Sequence, residues 1–233
     1  ELDTTITNAT LTNIGLGNVT LDETDALHIL DLDVANGLAA IVAGGAITDA
    51  PTATTAVSGN ASVSGSTITL GSGTFNVATL TFNSIGLVAI SEDSSLDIVG
   101  VNTAGSADLD STAGISDAGA TSVNVGGLAD VNGMSITLGV GLFNAGSLTF
   151  NSTGVVAISE DSSLDIAGIN TAGSADLDST AGISDAGATS VNVIGLADFN
   201  GTSINLGGGT FNAGTLTFNS IGVVNITEDS STI

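Results

Sequence analysis

Apolar residues alternate with small polar ones in short stretches along this chain, and clusters of Gly, Asn, Asp and Ser separate the stretches. Val88-Ala-Ile90, Leu96-Asp-Ile98, Val123-Asn-Val125, Ser135-Ile-Thr-Leu138 and Ser147-Leu-Thr-Phe150 show the pattern. A period of two sets alternate side chains on one face of an extended chain, so each stretch predicts a short β-strand with one apolar stripe. Ile90, Ile98, Leu109, Ile115, Val125, Ile136, Leu148 and Phe150 are the residues expected to point inward. No stretch keeps a 3.6-residue period, and Gly and β-branched residues dominate, so no helix is predicted.

The strand pattern itself repeats every 68 residues: Phe82-Asn83 returns as Phe150-Asn151 and Phe218-Asn219, and Glu92-Asp93 as Glu160-Asp161 and Glu228-Asp229. Residues 91–133 and 159–201 differ at four of 43 positions, Val99/Ala167, Val101/Ile169, Gly126/Ile194 and Val131/Phe199. A fixed period of this length marks stacked units, each covering the core of the next. The chain divides into a diverged repeat at about 10–78, repeats at 79–146 and 147–214, and a partial repeat at 215–233. No linker interrupts them, so residues 1–233 read as one domain.

Short strands with one apolar stripe suit a coil. The expected fold is all-β: a right-handed parallel β-helix (β-solenoid) with about three rungs per 68-residue repeat. That gives rungs of about 22–23 residues, some ten in all, and a rod of roughly 50 Å at about 4.8 Å per strand. Asn76, Asn83, Asn144, Asn151, Asn212 and Asn219 recur beside strand ends, where stacked side chains form hydrogen-bond ladders.

Composition narrows the function. The chain has no Lys or Arg and 24 Asp plus Glu, a formal charge of −24. Nucleic acid and anionic membrane surfaces are excluded as partners, because both are held by cationic side chains. No apolar run is long enough to insert in a membrane. One His (His28), no Cys, no Tyr and no Trp leave most catalytic constellations unassembled. Paired carboxylates recur in every repeat, whereas a glycosidase pair occurs once, so no enzymatic activity is expected. With 42% apolar residues the chain is not a disordered acidic tail. It begins at Glu1 without a leader-like segment and reads as a processed subunit or a stretch of something longer.

The pattern LTFNSxGxVxIxED, with SITLG and FNAGTLTFNS farther on, resembles repeats of large bacterial surface proteins of the filamentous-haemagglutinin-like type, over residues 10–233. That resemblance implies an extracellular adhesin, matrix or fibre component at a bacterial cell surface.

Two sets of candidate site residues follow. Glu92, Asp93, Asp108 and Asp110, with their copies Glu160, Asp161, Asp176 and Asp178, are candidate calcium ligands, since calcium takes six to eight oxygens and Asp-x-Asp supplies two on one side of a strand. Calcium-loop motifs are absent, and the alternative is that these carboxylates are solvated turn residues that keep the rod soluble. Spread over three rungs, they would avoid a continuous like-charge ladder. No cofactor is required; calcium is the one suggested. The second set is an interface. The segments holding Thr4, Ile6 and Leu11 at one end, and Val224, Ile226 and Ile233 at the other, read as strands open to pairing. Self is therefore the expected partner, in a head-to-tail homopolymer that contacts a cell surface or matrix. The alternatives are a passive stalk of a larger adhesin and a calcium-dependent glycan- or surface-binding module.

Overall fold

The computed structural model describes residues 3, 4 and 6–229 of the chain. These residues form 26 strands and no helix, and their pairings are parallel, so the chain coils as a β-solenoid of about 11 turns. Each turn has three sides. Some sides are separate strands, such as Leu87–Glu92, Leu96–Ile98 and Val101–Ala104. Others share one long strand that bends at a register shift, as Ser122–Asn132 does between Val125 and Leu128. Parallel pairing bonds the strand backbones to the turns above and below, which short strands with one apolar stripe require.

All eight residues expected inside are buried, within one continuous core that runs the length of the coil. Six Phe fill it, among them Phe82, Phe150 and Phe199, each worth about 1.5–3 kcal/mol of transfer free energy when fully covered. Outside, four of the six expected Asn stack on another Asn in register, Asn144 with Asn124, Asn151 with Asn132, Asn212 with Asn192 and Asn219 with Asn200, whereas Asn76 pairs with Ala56 and Asn83 with Ser64 and Thr103.

The coil is tighter than the expected 22–23 residues. One ladder runs through Leu96, Ile115, Ile136, Val156, Ala175, Ala197 and Leu216, six steps averaging 20 residues. The 68-residue repeat is therefore not a whole number of turns. Val88 and Val156 are equivalent, yet three turns below Val156 lies Leu96, in the strand after that of Val88. Likewise Val224 leads back through Ile204 and Ile183 to Leu164, in the strand after that of Val156. Each repeat thus advances three turns and one side. It rotates by a third of a turn and rises about 16 Å at the usual strand spacing. Dividing the period by a whole number assumed that like stacks on like. The backbone requires only that a turn finds a turn of similar shape, whichever side of it comes next.

Candidate functional site

The strand Leu87–Glu92 alternates Val88, Ile90 and Glu92 inward, so Glu92 is carried into the core by the same period that buries its apolar neighbours. Its Oε1 accepts the Val77 amide at 3.3 Å and the Ser94 hydroxyl at 3.0 Å. Asp93 is exposed and caps the neighbouring turn: its Oδ2 accepts the Phe75 amide at 2.8 Å, and its own amide donates to the Phe75 carbonyl at 2.9 Å. The two carboxylates replace a stretch of strand that the upper turn lacks. The copies repeat this. Glu160 faces the Ala145 amide at 3.3 and 3.2 Å, and Asp161 takes the Phe143 amide at 3.0 Å. Glu228 takes the Ala213 amide at 3.1 Å and Asp229 the Phe211 amide at 3.0 Å. In the diverged repeat Glu23 receives the Ile6 amide at 2.8 Å. Burial pushes the Glu92 carboxyl up to about 7, against the lowering effect of Ser94 and Val77 and with a small further rise from Asp93. Glu160 is pushed up to about 7 by the same causes, with Ser162, Ala145 and Asp161 in those places.

Asp108 and Asp110 lie on the other side of the sheet. Asp108 is exposed, between Ala89 below and Asp130 above, and Asp110 is between Ser91 and Asn132. Partial desolvation against the sheet, then Asp110, then Asp130 raise the Asp108 carboxyl above its ordinary value. The Asn132 amide donates to Asp110 Oδ1 at 2.9 Å. Asp176 is raised by burial, Asp178 and Asp198, and the Asn200 amide donates to Asp178 at 2.8 Å. Glu92 and Asp93 therefore do not converge with Asp108 and Asp110, nor do their copies. Among the described residues, no three carboxylates or His come together as a set suited to an ion. Like-charged residues nevertheless meet in register on adjacent turns at Asp108 and Asp130, at Asp176 and Asp198 and, along the backbone, at Asp3 and Asp22.

Two shallow open grooves flank these outward acids. One, of about 400 Å³, is lined by Ser91, Asp110, Ser111, Thr112 and Asn132 among others, and its 68-residue copy, of about 320 Å³, by Ser159, Asp178, Ser179, Thr180 and Asn200. Their hydroxyls are largely committed: Ser111 donates to the Ser94 carbonyl at 2.5 Å and Thr112 to the Asp93 carbonyl at 2.6 Å. His28 is half-buried on its strand, its Nδ1 2.8 Å from the Thr48 hydroxyl.

Two further polar devices hold turns together. Asp117 is buried and accepts the amides of Gly139, Val140 and Gly141 at 3.1–3.2 Å; Asp49 and Asp185 do the same one repeat away on either side. Gly139 has φ of 94°, which lets its amide turn toward the carboxylate. Asn102 is wholly buried: its Oδ1 accepts the Phe82 amide at 2.9 Å, and its Nδ2 faces the carbonyls of Val99, Gly100 and Ser122 at 3.1–3.3 Å. Asn170 repeats this at Phe150. The available signal was position, since each Asn stands where the alternation of its strand points inward.

Of the interface candidates, Thr4 pairs with Glu23 through the backbone, Ile6 is exposed, and Leu11 is half-buried against the core. Val224 and Ile226 are half-buried in a strand paired with Ile204–Leu206, and Ile233 lies outside the described residues. Among the described residues the strands Thr210–Asn219 and Val224–Ile226 have a neighbour on one side alone. Phe218 shows the consequence: it is 52% exposed, whereas its equivalents Phe82 and Phe150 are fully covered by a further turn.

Along the flanks, exposed apolar residues alternate with Ser. Leu87 is paired with Ser106, Leu128 with Ser147, Val155 with Ser174, and Ser122 lies between Val101 and Leu142. The rod's sides therefore carry no continuous apolar stripe at these positions. Comparison with protein-family models, curated proteins and solved structures returns no match to this chain.

Proposed function

We propose that this chain is a structural subunit of an extracellular fibre, in which the last turn of one copy is covered by the first turn of the next. The observation that carries this reading is that the core of each turn is sealed by the turn stacked on it, as Phe82 and Phe150 are, in one uninterrupted parallel coil whose ladder a second copy of the chain can continue.

The flanks support the same reading. Equivalent surface groups are rotated by a third of a turn at each repeat, so no single side presents a regular array to a flat ligand. The polar groups of the corners and grooves are occupied in holding turns together, which fits a load-carrying rod rather than a catalyst. The resemblance of the repeat to filamentous-haemagglutinin-like surface proteins agrees with a bacterial cell-surface or matrix setting.

Electron microscopy and sedimentation of the purified chain, with and without a calcium chelator, test the proposal. Unbranched fibres that survive the chelator, and that are lost in a Phe218→Asp variant still folded by circular dichroism, are the expected result. A chain that stays monomeric at high concentration is a stalk segment instead. Fibres that dissolve in chelator would favour a calcium-dependent module.

A further inference from the structure

At the Glu92 and Glu160 corners carboxylates take the place of the backbone ladders that tie most of the coil together. At these corners the first half of the strand Thr74–Asn83 has ladder partners on one side, while toward the next turn its register pairs are Leu80 with Ile98 and Asn83 with Thr103. The amides of Phe75 and Val77 go to Asp93 and Glu92 side chains instead. Glu92 and Glu160 are both fully buried; Glu92 Oε2 has no hydrogen-bond partner, and the two Glu160 oxygens share the single Ala145 amide at 3.3 and 3.2 Å, although a buried carboxylate needs its oxygens satisfied. Nor can a cation supply the compensation, because the chain has no Lys or Arg. Apart from Glu92 itself, the titratable group acting at this corner is Asp93; at the copy it is Asp161. The strand packed against Glu92 from below contributes Phe75, Asn76 and Val77, and the turn above contributes Ser111, none of them charged.

We propose that the Glu92 and Glu160 corners are proton-locked joints: protonated, each corner is closed, and losing the proton loosens the contact between the two turns it joins. An apolar, cation-free corner favours the neutral carboxyl, and both groups are held up to about 7 by that burial. The folded form therefore holds protons that the unfolded chain gives up near 4.5, so the stabilising effect is full below that value and disappears as pH rises through about 7. The rod would be tight in mildly acidic surroundings and jointed at two places above neutrality.

The window from about pH 5.5 to 7.5 brackets the value to which both corner carboxyls are raised. Thermal unfolding is measured across that window on the native chain, on E92Q/E160Q, and on H28Q as a control for the single imidazole. The native chain and H28Q should lose stability as pH rises, and E92Q/E160Q should lose little. An equal loss in E92Q/E160Q overturns the proposal. Should that variant fail to fold, the ¹³C titration of the native Glu carboxyls decides. Two carboxyls titrating near neutrality, with faster exchange of the Val77 and Ala145 amides above it, support the joint. All Glu carboxyls titrating in the ordinary acidic range refute it.

Discussion

Asp108 and Asp130 stand side by side on adjacent turns, in register, with no cation in the chain to separate them. Both carboxyls are held above their ordinary values, Asp108 by partial desolvation, Asp110 and Asp130, and Asp130 by partial desolvation and Asp110 against the opposing Asn132 hydrogen bond. Like charges directly opposite in a sheet cost roughly 0.2–1 kcal/mol. Asp130→Asn should therefore stabilise the rod by an amount of about that size at neutral pH and low salt. The gain should shrink at about 0.15 M salt, where exposed charges are screened beyond about 8 Å. Urea unfolding at the two salt concentrations measures both numbers, and a salt-independent gain would show that repulsion is not its source.

Asn102 invites a test of opposite sign. It is buried and satisfies one amide and three carbonyls that the gap between turns leaves open. Asn102→Ala would strand the Phe82 amide, at about 1–3 kcal/mol for an unsatisfied buried group, with more for the carbonyls. Asn102→Asp should also destabilise, because the acid replaces the Nδ2 donor with an acceptor facing carbonyls. Chemical denaturation of both variants checks the order: each below the native chain by at least about 1 kcal/mol. Equal stability of native and Asn102→Ala chains would mean that water fills the gap without cost.

How much of this was legible in the sequence depends on what each residue's position encodes. The alternation was enough to place Ile90, Leu148 and Phe150 inside, because strand period and burial are the same signal. Glu92 obeys that alternation too, so its position marks it as buried although its charge points to the surface. The turn length was missed for a different reason. Nothing local in the repeat says whether Val156 sits above Val88 or one side farther on, since both arrangements bury the same stripe. That choice is made between turns distant in sequence, where corner lengths decide which strand meets which. The Asp117 nest was hidden similarly, its three amides lying 22 to 24 residues downstream.

Thr55 is a defect that can be repaired. Its side chain points into the core between Leu32 and Phe75, and its hydroxyl is buried with no partner. Val has nearly the same shape and carries no polar atom to desolvate. Thr55→Val should stabilise the chain by about 1 kcal/mol, the lower part of the range for an unpaired buried hydroxyl. A rise in thermal midpoint with an unchanged urea m-value would support this account. A fall would mean that the hydroxyl has a partner, such as an internal water.

The ends give the most discriminating experiment on assembly, and the structure separates two substitutions that look equivalent in sequence. Pro at Ile6 would remove the amide that Glu23 accepts, so it damages a corner as well as an end. Ile226 is cleaner. Val223 accepts from the Ile204 amide at 2.9 Å and Thr227 donates to the Leu206 carbonyl at 2.7 Å, so residues 223, 225 and 227 face the turn below. Successive residues of a strand point their backbone groups to opposite sides, which leaves the Ile226 amide directed toward the place where another turn would add. Ile226→Pro deletes that donor and sets a ring against an incoming strand, while the ladder to Ile204–Leu206 keeps its bonds. The variant should fold with native circular dichroism and a melting temperature within a few degrees of the parent. It should form no fibres at concentrations where the parent does, and electron microscopy with sedimentation reads the difference. Normal fibres from Ile226→Pro would mean that elongation does not use this edge, and the end-to-end model would give way to lateral packing of rods.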